Sequence, residues 1–138
     1  MINGQLKSRI DKLWLEFHSG GITNPLTVIE QISFLMFARM LDMREQASER
    51  RAKRTGANDW ERVFPEDKQH LRWSHLIELS AEDQLATIQG DLFRFFREDV
   101  VGKSVLGKYL EGAQCVIQKP GLLKTAINMI NDLPLMQG

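Results

Sequence analysis

Gly20-Gly21-Ile22-Thr23-Asn24-Pro25, followed by the run from Leu26 to Met43, is the stretch that decides the fold. Asn24 suits a helix N-cap, because its side-chain oxygen can accept an orphan N–H of the first turn. Pro25 then falls at the first helical position, where its missing N–H costs nothing. Between Leu26 and Met43, 11 of 18 residues are Leu, Val, Ile, Phe or Met. Placed at about 100° per residue, the polar Thr27, Gln31 and Asp42 fall on one narrow stripe, and apolar side chains cover roughly two-thirds of the circumference. Such a helix, from about residue 25 to 45, is expected to be surrounded by other helices, with Ile32, Leu35, Met36 and Met40 nearly fully buried.

Outward from this helix, the remaining segments read as further helices. Leu6, Ile10, Leu13, Trp14 and Phe17 recur at helical spacing, so residues 5 to 18 form an amphipathic helix ended by Gly20-Gly21. Ser80-Ala81-Glu82-Asp83 resembles a capping box. It opens a long helix to about Arg97, with Leu85, Ile88, Leu92, Phe95 and Phe96 on one face. Trp73 to Leu79 suggests a short helix before it, and Trp60, Val63, Phe64 and Pro65 a loop tucked onto the bundle. Lys103 to Glu111 has helical composition weakened by Gly107. Pro120 starts a last helix with Leu123, Ile127 and Ile130 inward, and it stops before Pro134. No segment sustains a two-residue alternation. The expected fold is all-α, an irregular multi-helix bundle forming one domain over residues 1–138.

Composition narrows the function by exclusion. Eighteen Lys and Arg balance eighteen Asp and Glu, which argues against a globally acidic partner or a membrane surface, so any basic surface must be local. The single cysteine, Cys115, cannot form an intrachain disulfide and fits a reducing, cytoplasmic setting. Its neighbours Val116 and Ile117 suggest a buried, inert thiol. The first residues carry no apolar signal-peptide core. The longest uncharged run of the central helix, Gln31 to Ala38, falls far short of the ~20 residues a bilayer requires.

Chemical motifs fail one after another. Gly102-Lys103-Ser104 resembles the end of a phosphate-binding loop, but that loop needs glycine where Arg97 stands, after a strand. His70 and His75 have no cysteine or HExxH context that would make a metal site. Asp91, Glu98 and Asp99 have no paired nucleophile and read as outer-face charges. Trp14, Trp60 and Trp73 sit among apolar helical neighbours, which favours packing over base stacking. No glycine pair has GxG spacing, and no two prolines are adjacent. The chain therefore offers no catalytic residue, no cofactor-binding residue and no metal ligand. One feature survives. Residues 44 to 54 hold five cations, Arg44, Arg50, Arg51, Lys53 and Arg54, against Glu45 and Glu49, a local charge of +3. They form either a solvated helix end or a phosphate-contacting patch.

The order of three further features is more specific. Leu13-Trp14, then Gly20-Gly21-Ile22, then Phe34-Leu35-Met36-Phe37-Ala38-Arg39-Met40-Leu41-Asp42 resembles the N-terminal helical domain of the modification subunit of type I restriction-modification systems. In that family a helix of the pattern LLFLKxLxD follows a Leu-Trp helix and a glycine turn, and Arg39 stands where lysine or arginine is usual. Leu71 to Leu76 and Ile127 to Leu133 are similar in kind. The resemblance implies a part in methylating adenine N6 of DNA, with S-adenosylmethionine used by a separate catalytic domain of the parent protein and no cofactor in this chain. It also implies DNA in the assembled complex, a specificity subunit and a second modification subunit as partners, with the restriction subunit a further candidate. No catalytic residue of the family falls on this chain, which reads as the N-terminal domain alone. The alternative is a stand-alone helical adaptor or non-specific DNA-binding protein. An open reading frame that continues into a double-proline methylase motif would separate the two.

Overall fold

In the computed structural model, which describes residues 4–57, 59–100, 102 and 110–134, helices carry the architecture and no strand occurs among the described residues. Helix α1 spans Gly4–Ser19 and buries Leu13 and Phe17. Its end is set by hydrogen bonds from Ile22 N–H to Phe17 O (3.0 Å) and from Gly21 N–H to His18 O (3.2 Å). That is the Schellman pattern, and it puts Gly21 at φ 99°, a left-handed conformation that glycine adopts without a Cβ clash. Gly20 is needed for another reason. A Cβ there would lie 2.7 Å from Leu122 Cδ2, so its absence lets the last helix approach closely.

Helix α2, Pro25–Thr55, is longer than its apolar part: its 31 residues extend about 46 Å. Asn24 caps it as the sequence suggests, its Oδ1 accepting from Leu26 N–H at 2.9 Å. Gly56 closes it at φ 75°. The charged segment from Arg44 onward stays helical up to that glycine, beyond the end near residue 45 that the apolar pattern marks, and it is not wholly solvated, because Glu45 is fully buried. A 3₁₀ turn, Glu66–Leu71, and the short helix α3, Trp73–Leu76, follow.

Helix α4 covers residues 81–100. Ser80 Oγ accepts from Asp83 N–H at 3.2 Å to start it. After an α-helical Ala81–Ala86, it widens into a π-helical turn at Thr87–Leu92, returns to α at Phe93–Phe95 and widens again at Phe96–Val100. It therefore runs past Arg97, where the sequence pattern placed its end. Phe93 packs edge-on to Phe34 and Phe96 edge-on to Phe37, with ring centroids 5.3 and 5.5 Å apart, so α4 grips α2. Phe95 turns the other way and stacks on Phe64 of the loop. The anticipated helix over Lys103 to Glu111 lies mostly outside the described residues.

Helix α5, Pro120–Asn131, buries Leu123, Ala126, Ile127 and Ile130 against α1, α2 and the start of α4. Arg39 reaches across from α2 to its C-terminal end, donating to Ile130 O (2.6 Å) and Leu133 O (2.9 Å). Arg9 of α1 donates to Asp132 O. Two cations thus sit at the negative pole of the helix, bonded to a carbonyl of its last turn and to those of the residues just beyond it. Burial lowers the Arg39 pKa from its ordinary value, and the nearby Asp132 opposes that shift.

The central helix is less enclosed than its composition suggests. Ile32 and Leu35 are buried and Met36 is half-buried, but Met40 is 55% exposed, as are Leu26 (71%) and Ile29 (49%). The face turned inward contains much of the polar stripe instead. Gln31, Asp42 and Glu45 are buried there. Gln31 ties down the segment before α5, donating to Gln114 O and accepting from Val116 N–H. Gln89 and Arg97 of α4 hold the same segment through Ile117 O and Ala113 O. Polar side chains on α2 and α4 thus act as ties for loops that have no ladder of their own.

Candidate nucleic-acid interface

The C-terminal half of α2 is built with two chemically opposite faces. Asp42, Glu45 and Glu49, spaced at three and four residues, fall on one side of the helix. Glu45 accepts from Val63 N–H (3.0 Å) and Phe64 N–H (2.8 Å), holding the loop against the bundle. Asp42 accepts from Arg72 Nε (2.6 Å) and Ser74 N–H (2.8 Å), the latter at the start of α3. Glu49 takes both terminal nitrogens of Arg72, at 2.9 and 2.7 Å. Arg72, 9% exposed, is completed by Gln69 Oε1 at 3.0 Å. The Arg72 hydrogen bonds hold the Glu49 carboxyl below its usual pKa, despite some opposing burial. Glu49, the foremost cause, and Asp42 hold the Arg72 guanidinium above its own pKa.

With these carboxylates bonded within the fold, the exposed side of the following turns is left cationic, Arg50, Arg51 and Arg54 turned away from the acid row and Lys53, four residues after Glu49, at its edge. Arg50, Arg51, Lys53 and Arg54 are all exposed, and none makes an ion pair with another described residue. At about 100° per residue they share a little under half the circumference of the last two turns. Arg44 is exposed but stands apart, about two turns earlier. It lines a cavity of about 150 Å³ with Phe37, Glu45, Glu61 and Arg62. That volume lies below the ~300–1,000 Å³ typical of small-molecule sites. The structure thus groups four of the five candidate cations and separates the fifth.

Sequence reasoning missed two arginines. Arg62 lies 4.4 Å over the Trp60 ring and 3.9 Å from Glu49. Its acidic partner is Glu49, so it lies with the acid row of α2 and not with the cluster from Arg50 to Arg54. Arg72 organises the buried network, and its only signal in the chain is a lone arginine between Leu71 and Trp73.

The other candidates take ordinary places. Trp73 is buried and donates from its indole to Asn131 Oδ1 at 2.9 Å, while Trp14 and Trp60 are half-buried. His70 and His75 are exposed, with His70 Nε2 3.8 Å from Asp91. Asp91, Glu98 and Asp99 are exposed, as expected of an outer face. Cys115 is half-buried rather than sealed in, and desolvation raises its thiol pKa. Among the described residues no cluster of His, Cys, Asp and Glu could hold a metal, and no helix is long and apolar enough to cross a membrane.

No curated protein and no solved structure matches the chain. A family model described as the HsdM N-terminal domain does, over residues 6–130. That span takes in most of α1, the glycine turn, the whole of α2 and almost all of α5. The chain therefore belongs to the HsdM N-terminal domain family, the helical domain of modification subunits of type I restriction-modification systems.

Proposed function

We propose that this domain is a non-catalytic clamp and assembly module of a type I methyltransferase that methylates adenine N6 in DNA. The observation that carries the reading is the two-faced end of α2. Its acids are bonded inward, so four exposed cations stand on one side without an ion-pair partner among the described residues. Such a patch suits phosphate oxygens, which are contacted wherever they lie and convey no base sequence. The chain's zero net charge gives it little long-range attraction for a duplex. Its cations would therefore matter once the specificity subunit has placed the DNA between two modification subunits. The methyl donor and the flipped adenine would be handled by a separate catalytic domain, with S-adenosylmethionine bound there.

The test is to change Arg50, Arg51, Lys53 and Arg54 together to glutamine in the full modification subunit and assemble it with its specificity subunit. Affinity should fall by a similar factor for cognate and non-cognate DNA, because phosphates are the same in both. A fall confined to cognate DNA, or unchanged affinity in an intact assembly, would contradict the proposed role.

A further inference from the structure

The non-helical segment that leads into α5 is fastened to two helices by side chains. Gln31 of α2 donates from Nε2 to Gln114 O (2.9 Å) and accepts at Oε1 from Val116 N–H (3.1 Å). A single carboxamide thus imitates one step of a β-ladder. From α4, Arg97 donates to Ala113 O at 2.7 Å and Gln89 donates to Ile117 O at 3.0 Å. Both of these residues lie in the π turns, Gln89 in Thr87–Leu92 and Arg97 in Phe96–Val100. In a regular α-helix, residues eight apart stand about 80° apart around the axis. The wider π turns rotate each residue through less, which draws Gln89 and Arg97 toward one side of the helix, where both meet the same segment. The two rare turns of α4 thus share one consequence.

We propose that residues 113–117 form a latch that undocks from α2 and α4 as one unit while the bundle stays folded. Among the described residues, these four hydrogen bonds join the segment to the two helices, and each is made by a side chain that can turn away without moving its helix. Only Ala113 and Ile117 of the five residues are buried, so opening uncovers little apolar surface. Gly112 before the latch is exposed, and Pro120 after it starts α5 at a fixed φ. The ring contacts of Phe93 with Phe34 and of Phe96 with Phe37 hold α4 on α2 when the latch is open. A segment with few buried contacts opens at a free energy below that of global unfolding. The latch links the helix that carries the cationic end to α4, so its opening changes how that helix is held. The inference stands whether or not those cations meet DNA.

Native-state amide exchange of the 138-residue chain, followed by NMR over a series of low urea concentrations, tests the latch. Val116 N–H should be protected at least about tenfold less than the amide of Leu35 in the buried part of α2, and its rate should hardly change with urea. The decisive variants cut the ties to α4 alone. Gln89→Ala and Arg97→Ala should each speed Val116 exchange by about fivefold or more, the equilibrium worth of an ordinary hydrogen bond, although Val116 itself is bonded to α2. Gln89 is exposed, and unchanged helical circular dichroism would show that its variant folds. If Val116 only frays from Gln31, cutting the ties to α4 leaves its rate as it was, and that result would overturn the proposal. So would a Val116 amide as protected and as sensitive to urea as that of Leu35, because the segment would then open only with the whole bundle.

Discussion

Arg72 sets its Nε 2.6 Å from the Asp42 carboxylate, joining α2 to the residue that precedes α3 across 30 positions of sequence. Asp42 is 1% exposed, so this charge has left water and depends on its partner. Removing one member of such a pair typically costs about 3–5 kcal/mol, because the other charge stays buried and uncompensated. Arg72→Met should therefore lower stability by that amount in urea unfolding. Adding Asp42→Asn to it should recover part of the deficit. Additive effects would mean that the two residues act independently.

Glu49 gives the same network a pH dependence. Its folded pKa lies below the ordinary 4.5, chiefly through the Arg72 hydrogen bonds. A carboxylate shifted downward stabilises the fold fully above its unfolded pKa and loses that contribution as pH falls toward the folded value. The stability gap between wild type and Glu49→Gln should accordingly be present at neutral pH and shrink as the pH falls below the ordinary carboxylate value. Glu49 is 37% exposed, so the gap should be modest, in keeping with solvent-screened pairs. A gap that widens on acidification would reverse the sign of this account.

Position along α2 separates two apolar residues that look alike in sequence. Leu35 is 2% exposed and Met40 is 55% exposed. Leu35→Ala should cost about 2–5 kcal/mol through reduced burial and an unfilled cavity. Met40→Ala should stay within about 0.5 kcal/mol in a dilute, monomeric sample. Denaturation midpoints of the two variants check this, and equal shifts would contradict the orientation of the helix.

The sequence lacks GxG spacing and adjacent prolines, so the methyl donor and target base have no seat of the usual kind. Calorimetric titration of the chain with S-adenosylmethionine should give no heat of specific binding. Micromolar affinity would contradict the division of labour proposed here.

What could be read from the chain followed the range of the interaction. Asn24-Pro25, the glycine turn, Ser80 and the inward Leu123, Ile127 and Ile130 depend on neighbours within a turn or two, and each lies where the pattern put it. The orientation of α2 depends on distant partners. Gln31, Asp42 and Glu45 look like solvent residues until Gln114, Arg72 and Phe64 arrive to bond them. Met40 looks like core because the apolar arc of α2 is wider than the arc that α1, α4 and α5 cover. The π turns of α4 carry no local signature and shift its later residues off simple helical spacing. Of the candidate interface, the cluster from Arg50 to Arg54 was legible as composition. The inward turning of Glu45 and Glu49, which leaves it unneutralised, required the folded loop.

Salt dependence of DNA binding by the assembled methyltransferase tests the central claim most directly. The slope of log affinity against log salt reports how many phosphates the protein neutralises, at about 0.9 for each on duplex DNA. Replacing Arg50, Arg51, Lys53 and Arg54 with glutamine should make that slope shallower by up to about one unit for each phosphate no longer neutralised, with subunit assembly unchanged. A slope and affinity that both stay at wild-type values, in a complex that still assembles, would show that the basic end of α2 is a solvated helix terminus and nothing more.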